Sequence, residues 1–205
     1  MFHRVREAGI NFFDTADANG DGAWEKILGP LISDCGDEIV FGSKVFNPTG
    51  QDVNAREASR ADTFIRGVET SLKRLRTDWL DFYFVHAFDV RTPIEQTVRA
   101  LDDLQQQSKI LYPALSNWAA WQTATALGIS AREGLAGFEL IPPMYNLVRR
   151  QAEVEILPWP PRRSSASSPT APSVAAATGK IWRQRMVQIA PRGTHSPICL
   201  DLSAA

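Results

Sequence analysis

Cysteine is scarce in this sequence, and long hydrophobic runs are missing from it. Only Cys35 and Cys199 occur among the 205 residues, so we expect free thiols in a reducing compartment and no disulfide framework. No stretch approaches the ~20 consecutive apolar residues of a membrane helix. The opening residues also lack the apolar core of a signal peptide. We therefore expect a cytoplasmic protein without a membrane partner.

Neither sign of charge is in marked excess. The formal net charge is -1, and charged residues make up 22% of the chain. This balance does not favour a nucleic-acid partner or an acidic one. Hydrophobic residues account for 44% of the chain, which at this length is enough to build a sizeable core. The composition indicates an ordinary globular protein.

Short apolar runs alternate with amphipathic segments up to about Trp159. We predict strands over residues 10–16, 38–45, 79–88, 110–117 and 137–146. Apolar residues recur at helical spacing over residues 24–32, 64–75 and 94–104, and more weakly over 118–132. The first of these stripes comprises Trp24, Ile27, Leu28, Leu31 and Ile32. Strands that are apolar on both faces and alternate with helices predict an α/β fold with a parallel sheet and helical crossovers.

The last part of the chain has a different composition. Of the nineteen residues Pro160–Thr178, sixteen are Pro, Ser, Ala or Thr. Such a segment cannot bury enough apolar surface to offset its ordering entropy, so we predict a disordered tail. Six basic residues and one acidic residue follow Pro158. We interpret this charge as that of a solvated tail rather than of a nucleic-acid-binding segment.

Polar residues end four of the predicted strands. Asp14 ends the first, Lys44 the second, His86 the third, and Ser116 with Asn117 the fourth. Taken singly, each has an ordinary structural explanation as a turn former, a snorkelling lysine, a core histidine or a helix cap. Taken together they would converge, because the carboxyl ends of parallel strands share one edge. An Asp, a Lys and a His at one point form a proton-transfer cluster.

Six segments carry a resemblance to a known family. They read "EAGINFFDTAD", "GSKV", "SLKRLRTDWLDFYFVHAFD", "TPIEQTVRALDDL", "SKILYPALSNW" and "MYNLVRRQAEVEILP", and they extend across roughly residues 4–159. In this order they resemble the aldo-keto reductases, and in particular the bacterial enzymes that are similar to potassium-channel beta subunits. The resemblance implies a TIM (β/α)8 barrel that reduces a small aldehyde or ketone with NADPH and needs no metal.

The resemblance also implies roles for individual residues. The family uses an Asp, a Tyr, a Lys and a His for catalysis, and Asp14, Lys44 and His86 match three of them. The Lys–Asp pair lowers the pKa of the Tyr, which protonates the carbonyl oxygen, while the His orients the substrate. Ser116 and Asn117 would hydrogen-bond the nicotinamide carboxamide.

Three positions depart from the family pattern. Asn19, in "DTADANG", stands where the family has its Tyr. An amide has no proton that ionises near neutral pH, and losing a general acid typically costs about 10²–10⁴ in rate. Pro142 stands where the family usually has a Gln that faces the nicotinamide, and Ser108 stands where it usually has a Gly. We therefore expect impaired activity.

The family's first, seventh and eighth strands have no counterpart in the sequence. We therefore predict an incomplete barrel over residues 1–159, with about five strands, followed by a non-family tail over 160–205 that a frameshift would explain. An open sheet exposes its edges, which favours self-association. We expect the inward-facing Phe12, Val40 and Phe82, or the neighbours of Phe82, to lose packing partners.

Three functions follow from these observations. By lineage, the resemblance implies an NADP-dependent carbonyl reductase. The first alternative is a non-catalytic nicotinamide-binding or regulatory protein. The second is a truncated or frameshifted product that has no function.

Overall fold

The computed structural model describes residues 2–33, 35, 38–45, 61–90, 92–143, 147–148 and 150–157. The predicted tail over 160–205, Cys199 and part of the fifth predicted strand lie outside these residues. Cys35 is a free, buried thiol. Within the described ranges, none of the helices combines the length and apolar character that crossing a membrane requires.

Helices and strands alternate along the chain. The helices are α1 (Phe2–Glu7), α2 (Ala23–Ser33), α3 (Ala61–Leu75), α4 (Ile94–Gln106) and α5 (Ala120–Glu133). The strands are β1 (Phe12–Asp14), β2 (Val40–Val45), β3 (Leu80–Val85) and β4 (Ile110–Leu115), and a short 3-10 helix follows at Gln151–Glu153. Helix α1 is not among the predicted helices.

The four strands form one parallel sheet in the order β1-β2-β3-β4. Sequential parallel strands joined by helices confirm the predicted α/β class and are consistent with part of a TIM barrel. The predicted strand over 137–146 is wrong as an extended strand within the described residues, where only Leu140 pairs, in a single bridge to Ala114. Pro142 and Pro143 explain this, because proline has no N–H to donate to a neighbouring strand.

The main core lies between the sheet and the helices. Phe64, Val68 and Leu75 of α3 are at most 1% exposed there. Helix α2 differs from its prediction, because Trp24 and Ile27 of its apolar stripe are 61% and 66% exposed. The buried face of α2 instead holds Glu25, Gly29 and Ile32. Gly29 allows a close approach to α3, since a Cβ at this position would lie 2.5 Å from the Arg74 carbonyl oxygen.

An aromatic layer covers the opposite face of the sheet. Phe82 is 1% exposed, so the expectation that it loses its packing partners is wrong. Its ring centroid lies 5.8 Å from that of Phe12, 6.1 Å from that of Phe84 and 5.4 Å from that of Tyr112. These ring contacts bury Phe82 on the face of the sheet that lies opposite the main core. Phe12 and Val40 remain half-buried.

Candidate active site

The strand register brings the predicted site residues to one edge of the sheet. Asp14 ends β1, Lys44 is the penultimate residue of β2, and His86 directly follows β3. The His86 N–H donates to the Val45 carbonyl at 3.0 Å, which aligns the ends of β2 and β3. The Ser116 N–H donates to the carbonyl at the end of β3 at 2.9 Å, which adds the end of β4.

Lys44 and Asp14 form an ion pair at this edge. The Lys44 Nζ donates to Asp14 Oδ2 and, at 3.1 Å, to the Thr15 carbonyl. It also lies 5.0 Å from the centroid of the Phe84 ring, within the range of a cation–π contact. The Lys44 side chain is 12% exposed and that of Asp14 is 38% exposed. An ammonium has three N–H donors, so one of them is left without a partner among the described residues.

Asp14, Lys44 and His86 influence one another's protonation. Burial raises the pKa of Asp14 above its ordinary value, and the Lys44 ammonium opposes this rise. Loss of hydration lowers the pKa of His86; the Lys44 ammonium adds to this effect and the Asp14 carboxylate opposes it. His86 is therefore neutral near pH 7, and its buried Nδ1 has no partner within the described part of the chain.

Ser116 and Asn117 connect the fourth strand to His86. Asn117 adopts a left-handed backbone conformation, with φ at 57°. Its Nδ2 donates to the His86 carbonyl at 3.0 Å and to Ser116 Oγ at 3.1 Å. The alternative explanation of these residues as a helix cap is wrong, because the N-cap of α5 is Ala119, whose N–H donates to Gln122 Oε1.

Asn19 lies on the turn between β1 and α2. The Asp17 N–H donates to the Lys44 carbonyl at 3.1 Å, which fixes this turn to the strand that carries Lys44. Three consecutive residues, Gly20, Asp21 and Gly22, have φ between 50° and 77°. The chain reverses sharply there, directly after Asn19, which is half-buried.

A buried ion pair that the sequence analysis did not identify lies behind the site. Glu25 is fully buried, and its carboxylate accepts hydrogen bonds from Ser43 Oγ at 2.6 Å and Arg74 Nη1 at 3.0 Å. The Arg74 guanidinium also packs against Gly22, where a Cβ would lie 2.3 Å from it. This Glu25 network joins α2, α3 and the β1–α2 turn to Ser43, the residue before Lys44. Glu25 and Arg74 follow ordinary helical spacing, so no sequence signal distinguishes them from surface charges.

Asp17 lies beside the Glu25 network. Its side chain is 6% exposed, and its Oδ1 has no partner among the residues that the structure describes. Burial and, to a smaller extent, the Glu25 carboxylate raise the pKa of Asp17 from its ordinary 3.8 to about 6. The folded chain therefore binds a proton here that the unfolded chain releases between about pH 4 and pH 6.

The difference in proton binding at Asp17 between the folded and the unfolded chain makes the free energy of unfolding depend on pH. We expect Asp17 to lower the free energy of unfolding as pH rises from about 4 to about 6, and to keep it lower above pH 6. The substitution Asp17→Asn should therefore stabilise the fold by about 1–3 kcal/mol at neutral pH, with little effect near pH 4. Urea unfolding at both pH values measures this difference.

The exposed Asp78 offers a matched control for this experiment. The substitution Asp78→Asn removes a carboxylate from the surface, where we expect its effect on the free energy of unfolding to be much smaller than that of Asp17→Asn. An Asp17→Asn variant with the same pH dependence as the parent would show that Asp17 does not hold its proton in the folded state.

The described residues bring together no three His, Cys, Asp or Glu side chains that are suited to hold a metal ion. An open pocket of about 350 Å³ lies beside Asn117. Trp118, Pro143, Gln151 and Ile156 contribute to its lining. Among the described residues, Asn117 is the candidate site residue that lines this pocket, and Asp14, Lys44, His86 and Ser116 do not contribute to it. The site itself combines an ion pair, a neutral histidine and amide and hydroxyl groups, which suits proton transfer on a small organic ligand.

Comparisons with known proteins identify the family to which this fold belongs. The profile of the Aldo/keto reductase family matches residues 1–159. A probable voltage-gated potassium channel subunit beta from Oryza sativa is 36% identical over 162 residues, which cover 77% of this chain and 49% of that protein. Aldo-keto reductase YhdN from Bacillus subtilis is 35% identical over 155 residues, which cover 75% of this chain and 45% of that protein.

Aflatoxin B1 aldehyde reductase member 2 from Rattus norvegicus is 34% identical over 157 residues, which cover 74% of this chain and 41% of that protein. The chain spans about half the length of these relatives. The match of the family profile to more than half of the chain is consistent with the parallel sheet and with the order of its strands. The chain belongs to the aldo/keto reductase family.

Proposed function

We propose that this chain binds NADP(H) at the carboxyl edge of its sheet and reduces small aldehydes or ketones by hydride transfer. The observation that carries the proposal is the Lys44–Asp14 ion pair, which shares this edge with His86 and Asn117. The residues present fit a nicotinamide carboxamide. Asn117 Oδ1 has no partner among the described residues and offers an acceptor for the carboxamide N–H, and the Ser116 hydroxyl can donate to its oxygen.

When bound, the cofactor supplies the hydride that reduces the carbonyl carbon. Neutral His86 can donate a hydrogen bond to the carbonyl oxygen and so orient the substrate. The free N–H of Lys44 adds positive charge at the point where the oxygen becomes negative. Asp14 holds the ammonium in place through their ion pair.

Asn19 limits the reaction. Its amide can donate a hydrogen bond to the carbonyl oxygen, but it cannot release a proton as a phenol does. Polarisation without an acid at this position supports slow turnover only.

Cofactor binding tests the proposal independently of turnover. We expect NADPH to quench the tryptophan fluorescence of the chain in a saturable manner. The substitution Ser116→Ala should raise Kd by about threefold to tenfold, because it removes one hydrogen bond worth about 1 kcal/mol. The substitution Ser130→Ala is the matched control, since Ser130 lies in α5 and its buried hydroxyl has no partner in the described structure.

The outcomes of this experiment distinguish a reductase from a non-catalytic nicotinamide-binding protein and from a product without function. Absence of saturable quenching would contradict cofactor binding and would favour a product without function. Equal weakening by both substitutions would contradict binding at this edge of the sheet. Binding without NADPH-dependent aldehyde reduction would favour a nicotinamide-binding or regulatory role.

The proposal includes where the reaction takes place and what the chain interacts with. We place it in the cytoplasm, with the small carbonyl compound as the partner and no nucleic acid or membrane involved. Self-association through the edges of the sheet is part of this proposal, because unpaired strand edges can pair with a second chain.

A further inference from the structure

The sequence contains one Asn-Gly dipeptide. Six asparagines occur, and only Asn19 precedes a glycine, Gly20. The backbone nitrogen that follows an asparagine can attack the side-chain amide carbon, and a side chain on the following residue hinders this attack. Glycine removes that hindrance and leaves the backbone freer to reach the required conformation.

The structure leaves the reacting groups of this dipeptide free. Asn19 is half-buried and Gly20 is exposed, within a turn that belongs to neither a helix nor a strand. In the described part of the chain, the Asn19 side-chain amide and the Gly20 N–H have no hydrogen-bond partner. The Asn19 backbone does form hydrogen bonds, to the Ala16 carbonyl at 3.1 Å and from the Trp24 N–H at 3.5 Å, but neither uses a reacting atom.

Asn117 provides the contrasting case on the same edge of the sheet. Its amide nitrogen is held by the His86 carbonyl and by Ser116 Oγ. The residue that follows it is the bulky, buried Trp118. Freeing the Asn117 amide from two hydrogen bonds costs about 1–2 kcal/mol, which alone slows attack by about tenfold.

We propose that Asn19 is a site of spontaneous deamidation in the folded protein. The Gly20 amide nitrogen forms a bond to Asn19 Cγ and loses its proton, and the side-chain nitrogen leaves with that proton as ammonia. The resulting five-membered succinimide then adds one water molecule and opens to aspartate or isoaspartate. No oxidant, reductant or cofactor takes part in either step.

The product changes the charge of the candidate site. A carboxylate replaces the Asn19 amide two residues after buried Asp17, on the turn that is fixed to the Lys44 carbonyl. Isoaspartate also lengthens the backbone by one methylene immediately before Gly20. Gly22, at the end of this turn, packs against the Arg74 guanidinium, so the altered turn has little room to shift.

Peptide mapping of the aged protein tests this proposal without reference to enzyme activity. The purified full chain is incubated at mildly alkaline pH, digested, and analysed by mass spectrometry and for isoaspartate. We expect the Asn19 peptide to convert to the acid at least about tenfold faster than the Asn117 peptide in the same digest. The variant Asn19→Gln should show no comparable conversion at this position, because its ring closure is larger and slower.

Incubation in denaturant supplies the reference rate for both peptides. An Asn19 peptide that converts in denaturant but remains intact in the folded chain would overturn the proposal, because the fold would then protect the residue. Conversion of Asn19 no faster than that of Asn117 in the folded chain would overturn it as well.

Discussion

Replacing Arg74 by methionine is expected to lower the free energy of unfolding by about 3–5 kcal/mol, because it leaves the buried Glu25 carboxylate without its cationic partner. Glu25 has no exposed surface, and within the described part of the chain only the Ser43 hydroxyl would remain to stabilise its charge. A domain is typically stable by about 5–15 kcal/mol, so a loss of this size removes a large part of the total. Urea unfolding followed by circular dichroism measures the change.

Two further variants separate charge from packing. Arg99 forms an ion pair with Glu133, but 59% of its side chain is exposed, so Arg99→Met should cost far less than Arg74→Met. Adding Glu25→Gln to Arg74→Met should recover part of the lost stability, because the unpaired buried charge disappears. Equal losses for Arg74→Met and Arg99→Met, or no recovery in the double variant, would contradict a buried ion pair.

The substitution Asn19→Tyr is expected to raise NADPH-dependent aldehyde reduction by about 10²–10⁴-fold, the usual contribution of a general acid. The turn that carries residue 19 is hydrogen-bonded to the Lys44 carbonyl, so a phenol there would lie near β2. The Lys44 ammonium on that strand forms the ion pair with Asp14. A nearby ammonium lowers the pKa of a phenol and makes it a better acid near neutral pH. Steady-state rates with a simple aldehyde measure the gain.

The variant Asn19→Phe supplies the matched control for this gain. Phenylalanine provides the ring without the hydroxyl, so its rate should stay close to that of the parent chain. Combining Asn19→Tyr with Lys44→Met should remove most of the gain, because the phenol then lacks the cation that lowers its pKa. A Phe variant that is as active as the Tyr variant would exclude acid catalysis by residue 19.

Much of the fold could be predicted from the periodicity of apolar residues. The four strands and the four longer helices appear where alternation and helical spacing place them. Of the predicted strand over 137–146, the described residues form a single bridge to β4, because Pro142 and Pro143 have no N–H to extend the pairing, which the apolar run does not reveal. The buried face of α2 was misjudged because Gly29 and Glu25, rather than the bulky Trp24, face α3.

The site was predictable only in part. Asp14, Lys44 and His86 could be linked because each lies at or beside the carboxyl end of a parallel strand, and strand ends are visible in the sequence. The partners of Glu25 and Arg74 could not be predicted, because helix packing decides which charges become buried. Ser108 has φ at 58°, in the region that favours glycine, which explains why the family usually has Gly there.

The central claim is that Asp14, Lys44 and His86 meet at one edge of the sheet, and the pKa of His86 reports on it directly. Burial and the Lys44 ammonium lower that pKa, whereas Asp14 raises it. Nuclear magnetic resonance titration of the imidazole, assigned with His86→Gln, should show a higher pKa in Lys44→Met, which removes the cation and leaves Asp14 unpaired. A His86 pKa that is the same in the parent chain and in Lys44→Met would show that the two side chains do not share a site.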